Sequence, residues 1–156
     1  MHCEGYKENR FANIIKTKYT QGVLMKIYQK EIETYLKDSN AFGNIYFSRY
    51  FEWQGVIRES FFIESVTNNM LSLGLILITK KAENNYIKEL FPFAKIKGTL
   101  NTANIKNCSL EIIINFYNED QLIASGRQTI VFADTKRQIT KIPDNIKKKL
   151  KEYLSE

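Results

Sequence analysis

Residues Asp38 to Phe62 read DSNAFGNIYFSRYFEWQGVIRESFF. Asp38, Ser39, Asn40, Ala41, Phe42 and Gly43 supply turn and cap chemistry ahead of a long apolar-faced segment, Asn44 to about Val66. At 100° per residue Tyr46, Tyr50, Trp53, Ile57 and Phe61 fall on one side, with Ser48, Glu52, Gly55 and Glu59 opposite. The spacing predicts a helix of about five or six turns with an aromatic buried face.

Ahead of this segment, KIYQKEIETYLK (Lys26 to Lys37) alternates apolar and charged residues and reads as a strand with one irregularity. Beyond the turn Thr67-Asn68-Asn69 the pattern turns to strands: Leu73 to Ala82, Ile87 to Gly98 broken at Pro92, Ser109 to Asn118, and Gln121 to Ala133. Glu119-Asp120 is a tight hairpin between the last two. Pro143 and Asp144 open a closing helix, Ile142 to Glu156, whose apolar stripe is Ile146, Leu150, Tyr153 and Leu154. One strand, one helix and four consecutive strands lack the alternation of a parallel doubly wound fold. The expected class is α+β: an antiparallel sheet of about five strands wrapped around one long central helix. The division expected is an extension over residues 1–24, a folded domain over 25–141, and a basic amphipathic helix over 142–156.

Composition narrows the chemistry. A chain of 156 residues with 44% hydrophobic and 26% charged residues carries the core of one ordinary globular domain. Cys3 and Cys108 lie too far apart for a CxxC motif, and the only histidine is His2, so two-histidine metalloprotease motifs are excluded. The longest apolar run, Leu71 to Ile78, is far short of the ~20 residues that span a bilayer. The first residues show no basic region leading into an apolar stretch, so a cytoplasmic location is expected. The net charge of +6 asks for an acidic partner.

The stretch from Asn40 resembles the first loop and helix of hotdog-fold thioesterases of the 4-hydroxybenzoyl-CoA thioesterase-like superfamily. There the loop reads D-x-x-G with a catalytic Asp, and Asn40-Ala41-Phe42-Gly43 places an amide where that carboxylate belongs. The departure points to the branch working beside enediyne polyketide synthases, T-N-x-x-G-N-V-Y-F-x-x-Y-x-x-W-Q-G-x-x-R-E. This chain supplies Asn40, Gly43, Asn44, Tyr46, Phe47, Tyr50, Trp53, Gln54, Gly55, Arg58 and Glu59 in that register. Glu83 to Leu90 and Ala124 to Gln128 are also similar, and the likeness runs from about Lys26 to Ala133.

The residues carry a physical reading of their own. Gly43 and Asn44, placed at the helix N-terminus, would offer backbone N–H donors to the oxyanion formed when water adds to a thioester. Arg58 lies beside Phe47, Phe51 and Gln54, on the flank of the aromatic face. Alone it reads as a snorkelling arginine or a structural ion pair; the resemblance makes it the family's required arginine, holding the carbonyl or a water. Asn40 has no usable proton affinity but can orient water, and its plain reading is a turn residue. Glu52 and Glu59 fall on the solvated face, and Glu89 is a candidate partner for Arg58. Tyr46, Phe47, Tyr50 and Glu89 are the candidate substrate contacts, and Trp53 is assigned to packing.

The resemblance implies a thioesterase that releases a polyketide or fatty-acyl chain from an acyl carrier protein, working as a homodimer or dimer of dimers with sites at the subunit interface. It implies no metal or organic cofactor. Two alternatives stay open: an acyl-CoA thioesterase, and a non-catalytic hotdog protein that binds acyl groups. Residues 1–30 carry six basic against two acidic groups and residues 135–156 seven against three. The surplus therefore lies outside the stretch of likeness, which argues against nucleic acid as partner and makes the basic terminal helix a docking surface for an acidic carrier protein. No membrane partner is expected.

Overall fold

The structure is a computed structural model and describes residues 16–20 and 23–155. Residues 1–15, and with them most of the expected extension, lie outside the described residues.

The elements in chain order are β1 (Lys16–Thr20), β2 (Val23–Glu33), α1 (Arg49–Phe61), β3 (Ile76–Tyr86), β4 (Lys95–Ala103), β5 (Ser109–Asn118), β6 (Gln121–Ala133) and α2 (Asp144–Lys151). Every strand pairing is antiparallel, and the sheet order is β1-β2-β4-β5-β6-β3. Five strands, β2 to β6, make the expected antiparallel sheet; β1 adds a strand at one edge that the polar sequence KTKYT did not announce. Among the described residues β3 forms the opposite edge and pairs only with β6.

β5 and β6 match their sequence limits because burial alternates along most of each: on β5 Leu110, Ile112, Ile114 and Phe116 are buried, with Ser109, Glu111, Ile113 and Asn115 on the outer face. Ile87 to Gly98 does not hold as a strand. The N–H groups of Ile87 and Lys88 both bond to the Ile123 carbonyl, and Phe93 sits at φ 68°, so residues 87–94 form a loop and β4 begins at Lys95.

α1 lies against one face of the sheet. Tyr50, Trp53, Ile57 and Phe61 are buried, and Phe116 on β5 meets Tyr50 edge-on with ring centroids 5.4 Å apart. Close approach depends on two gaps in the sheet: a Cβ at Gly98 would overlap Ile57, and one at Gly126 would overlap Gln54. A wider π-type turn, Phe62–Val66, continues α1 and gives 18 helical residues in all. α2 is shorter than the expected Ile142 to Glu156; it buries Ile146 and Leu150, and Tyr153 beyond it packs on Phe61 at 5.0 Å. No described helix is long and apolar enough to cross a membrane.

Candidate active site

The helix does not begin at Asn44. Asn40 closes a tight loop: its N–H donates to the Asn44 carbonyl at 2.9 Å, its carbonyl accepts from Gly43 N–H at 3.1 Å, and its Oδ1 accepts from Phe42 N–H at 2.8 Å. Gly43 sits at φ 90°, in the left-handed region that favours glycine. The next two N–H groups are spent on other segments, Ile45 to the Leu90 carbonyl and Tyr46 to the Asp38 carbonyl. α1 therefore starts at Arg49, and Gly43 and Asn44 are loop residues rather than donors at a helix N-terminus. The aromatic spacing carried the predicted helix five residues too far, because Tyr46 and Tyr50 keep helical periodicity across a loop.

Arg49 ties this loop to the helix. Its guanidinium donates to the Lys37 carbonyl and to Glu52, and its Nε lies 3.6 Å from the buried Asp38 carboxylate. Asp38 in turn accepts from Tyr35 N–H at 2.8 Å. Asp38 is thus committed to holding the loop.

Asn44, Phe47, Tyr50 and Glu89 line one cleft of about 290 Å³, together with Tyr86 and Leu90. Asn44 Nδ2 donates to the Glu89 carboxylate at 3.2 Å, so Glu89 pairs with Asn44 and not with Arg58. Tyr50 lies at the floor, 3% exposed, packed edge-on against Trp53 and Tyr86. Burial, then the neighbouring Tyr86, pushes its phenol up to about 12. Tyr46 is exposed and tilted against Phe47 at 4.7 Å, outside the cleft lining.

Arg58 stands two turns further along α1. Its side chain is only 16% exposed, and Nη1 donates to Thr79 Oγ1 at 2.7 Å and to Gln128 Oε1 at 3.1 Å. Its carboxylate contact is Glu59, itself 69% exposed, at 3.5 Å. Nε is buried and without a partner among the described residues. Such a guanidinium is fixed in direction, and its buried Nε–H is left without an acceptor.

Behind it, Gln128 Nε2 donates to Gln54 Oε1 at 3.0 Å, and Gln54 Nε2 donates to Asn84 Oδ1 at 3.0 Å and to the Glu83 carbonyl at 3.2 Å. Both glutamines are buried. Sequence reasoning matched Gln54 and Gln128 to a pattern but gave them no role. The signal available was an amide on the buried side of α1 and another at an inward position of β6.

Within one chain Asn40 and Arg58 do not meet. The Asn40 loop is held at the Arg49 end of α1, and Arg49 to Arg58 alone spans about 14 Å at the helical rise. Glu52 and Glu59 are exposed, as their wheel positions implied.

Five antiparallel strands in the order β2-β4-β5-β6-β3, with the main helix inserted between β2 and β3, make the arrangement of the hotdog class. The chain belongs to the Thioesterase-like superfamily, whose pattern matches residues 35–150. Solved structures agree on the fold. The dynemicin thioesterase, crystallised in a study of polyene binding, is 22% identical over 83% of this chain and 99% of its own, with a TM-score of 0.76. A gentisyl-coenzyme A thioesterase is 16% identical over 78% and 98%, with a TM-score of 0.72. A 1,4-dihydroxy-2-naphthoyl-CoA thioesterase from Synechocystis is 16% identical over 80% and 95%, at 0.71. No curated protein matches the sequence.

Proposed function

We propose that this chain hydrolyses the thioester of a polyketide or fatty-acyl chain borne on an acyl carrier protein, releasing the free acid. Membership of the Thioesterase-like superfamily supports thioester hydrolysis. The observation that carries the mechanism is Arg58, a nearly buried guanidinium with an unpartnered Nε and only an exposed carboxylate beside it. Developing negative charge on a thioester oxygen is what such a fixed cation stabilises best. Asn40 has its Oδ1 engaged by Phe42 N–H, which leaves Nδ2 to hold a water or the carbonyl.

The site is completed by a second copy. β3 is an 11-residue edge strand with one side free among the described residues, and α1 runs antiparallel to it, Tyr50 beside Tyr86 and Arg58 beside Thr79. Pairing two β3 edges antiparallel about a two-fold axis lays the Tyr86 end of one chain near the Thr79 end of the other. The Asn40 loop of one protomer then faces Arg58 of its partner. The cleft floored by Tyr50 and walled by Phe47 and Tyr86 suits an unsaturated or aromatic acyl chain. Lysines 147, 148, 149 and 151 on or beside the outer side of α2 offer a docking surface to an acidic carrier domain. Gly43 and Asn44 serve by shaping the Asn40 loop and by orienting Glu89.

Acyl-CoA is the second reading, favoured by the coenzyme A thioesters named for two of the neighbouring structures. Steady-state hydrolysis of one acyl chain on carrier protein and on coenzyme A separates the two. Faster turnover on the carrier protein, with Arg58→Ala slower by roughly two orders of magnitude, is the expected result. Preference for the coenzyme A form would reassign the substrate, and no hydrolysis of either would leave an acyl-binding protein.

A further inference from the structure

From the hydrogen-bond geometry we infer that Gln128 and Gln54 form a one-way amide relay that aims Arg58, making Gln128 a positioning residue for the reaction. The inference rests on the functional reading of Arg58.

Both ends of the chain fix its direction. A guanidinium only donates, so the atom of Gln128 that meets Arg58 Nη1 must be its carbonyl oxygen. Its NH2 is thereby turned to Gln54, whose oxygen must accept. The NH2 of Gln54 is left for the sheet, where the Glu83 main-chain carbonyl can only accept. Started from either end, the polarity is the same. Neither glutamine can flip without setting donor against donor at Arg58 or acceptor against acceptor at Glu83.

The relay is also built into the packing. Gln54 is 0% exposed and Gln128 is 4% exposed, so a broken link leaves a buried amide unpaired. Gly126 leaves the space in which the Gln54 amide lies. A plain packing role would be filled as well by leucine or methionine at both positions, without the cost of burying two amides. What the amides add is direction: Gln128 and Thr79 fix Nη1, and the plane of the guanidinium follows, with Nε left as the free donor.

The test is a double-mutant cycle read by hydrolysis, using whichever of the acyl-carrier-protein and acyl-CoA thioesters the wild type turns over. Gln128→Met keeps the volume and removes the acceptor. It is expected to lower kcat roughly tenfold or more with KM little changed, since misplacing a group by about 1 Å can cost a hundredfold. In the Arg58→Ala background the same change is expected to alter kcat by less than about twofold, because the group it aims is gone. A merely structural glutamine would slow both backgrounds alike, and that result overturns the relay. Should Gln128→Met fail to fold, Thr79→Val removes the other acceptor from an exposed strand residue and carries the same pair of expectations. Wild-type kcat in a folded Gln128→Met protein also overturns it. If Arg58→Ala itself hydrolyses at the wild-type rate, the reading of the site fails first and the relay with it.

Discussion

The Gln54 carboxamide occupies the space that a side chain on Gly126 would fill. The two residues sit on facing elements, α1 and β6, and the missing Cβ lets the buried amide reach Glu83 and Asn84 on β3. Gly126→Ala pushes a methyl into that amide, so it is expected to cost about 1–3 kcal/mol, the usual penalty of overpacking. Gly55→Ala serves as the contrast: it is helical and has nothing within 4 Å of the added carbon, so a gain of about 0.5–1 kcal/mol is expected. Urea unfolding of the two variants measures both, and equal stabilities would refute the packing argument.

Mixing two impaired proteins tests where the site lies. If Asn40 and Arg58 act across a two-fold interface, exchanging subunits between Asn40→Ala and Arg58→Ala proteins gives mixed dimers with one intact site and one doubly altered site. Random exchange is expected to restore about a quarter of wild-type activity, since half the dimers are mixed and half their sites are whole. A mixture that stays as slow as its components would place both residues in one chain's site, against the span of α1 that separates them.

Tyr50 makes a prediction at alkaline pH. Its phenol is pushed up to about 12 by burial and by Tyr86, whereas an unfolded tyrosine ionises near ~10. The folded state therefore holds its proton more tightly. The stability this contributes is whole below about pH 10 and is lost as pH rises toward about 12. Tyr50→Phe cannot ionise. The stability gap between wild type and Tyr50→Phe should stay level from neutral pH to about 9 and shift against the wild type across the window above. Denaturant midpoints that move in parallel through pH 11 would disprove the assignment.

These residues also mark what the sequence made legible. Tyr50, Trp53, Ile57 and Phe61 were readable as a buried face because helical periodicity is local, and β5 because its inward positions Leu110, Ile112, Ile114 and Phe116 are all apolar. The start of α1 was not, since what ends the pattern is long-range: the Ile45 and Tyr46 N–H groups bond to Leu90 and Asp38. The true β4 was hidden likewise, its second half Asn101-Thr102-Ala103 carrying little apolar signal while Thr102 is buried by a bond to the Leu150 carbonyl. At the site, the flank position of Arg58 could be read from the wheel. That Thr79 and Gln128 are its partners could not, because a pairing between side chains 21 and 70 residues apart is set by the tertiary fold and not by local periodicity.

Asn40→Asp asks whether the loop still supports a carboxylate. The loop needs only one side-chain oxygen at residue 40, the acceptor for Phe42 N–H, and an aspartate supplies it. The folded state should therefore be kept, and the second oxygen would stand where Nδ2 now is, as an acceptor able to take a proton from water. Asp38 two residues away is held by Arg49 and Tyr35, so it is not free to act in its place. The expected outcome on a simple acyl-CoA is a faster rate with a rising limb as the new group ionises, absent from the wild type. A folded Asn40→Asp protein that is slower at every pH would mean that attack depends on the Asn40 Nδ2 donor, and that an amide, not a base, is what the site needs at this position.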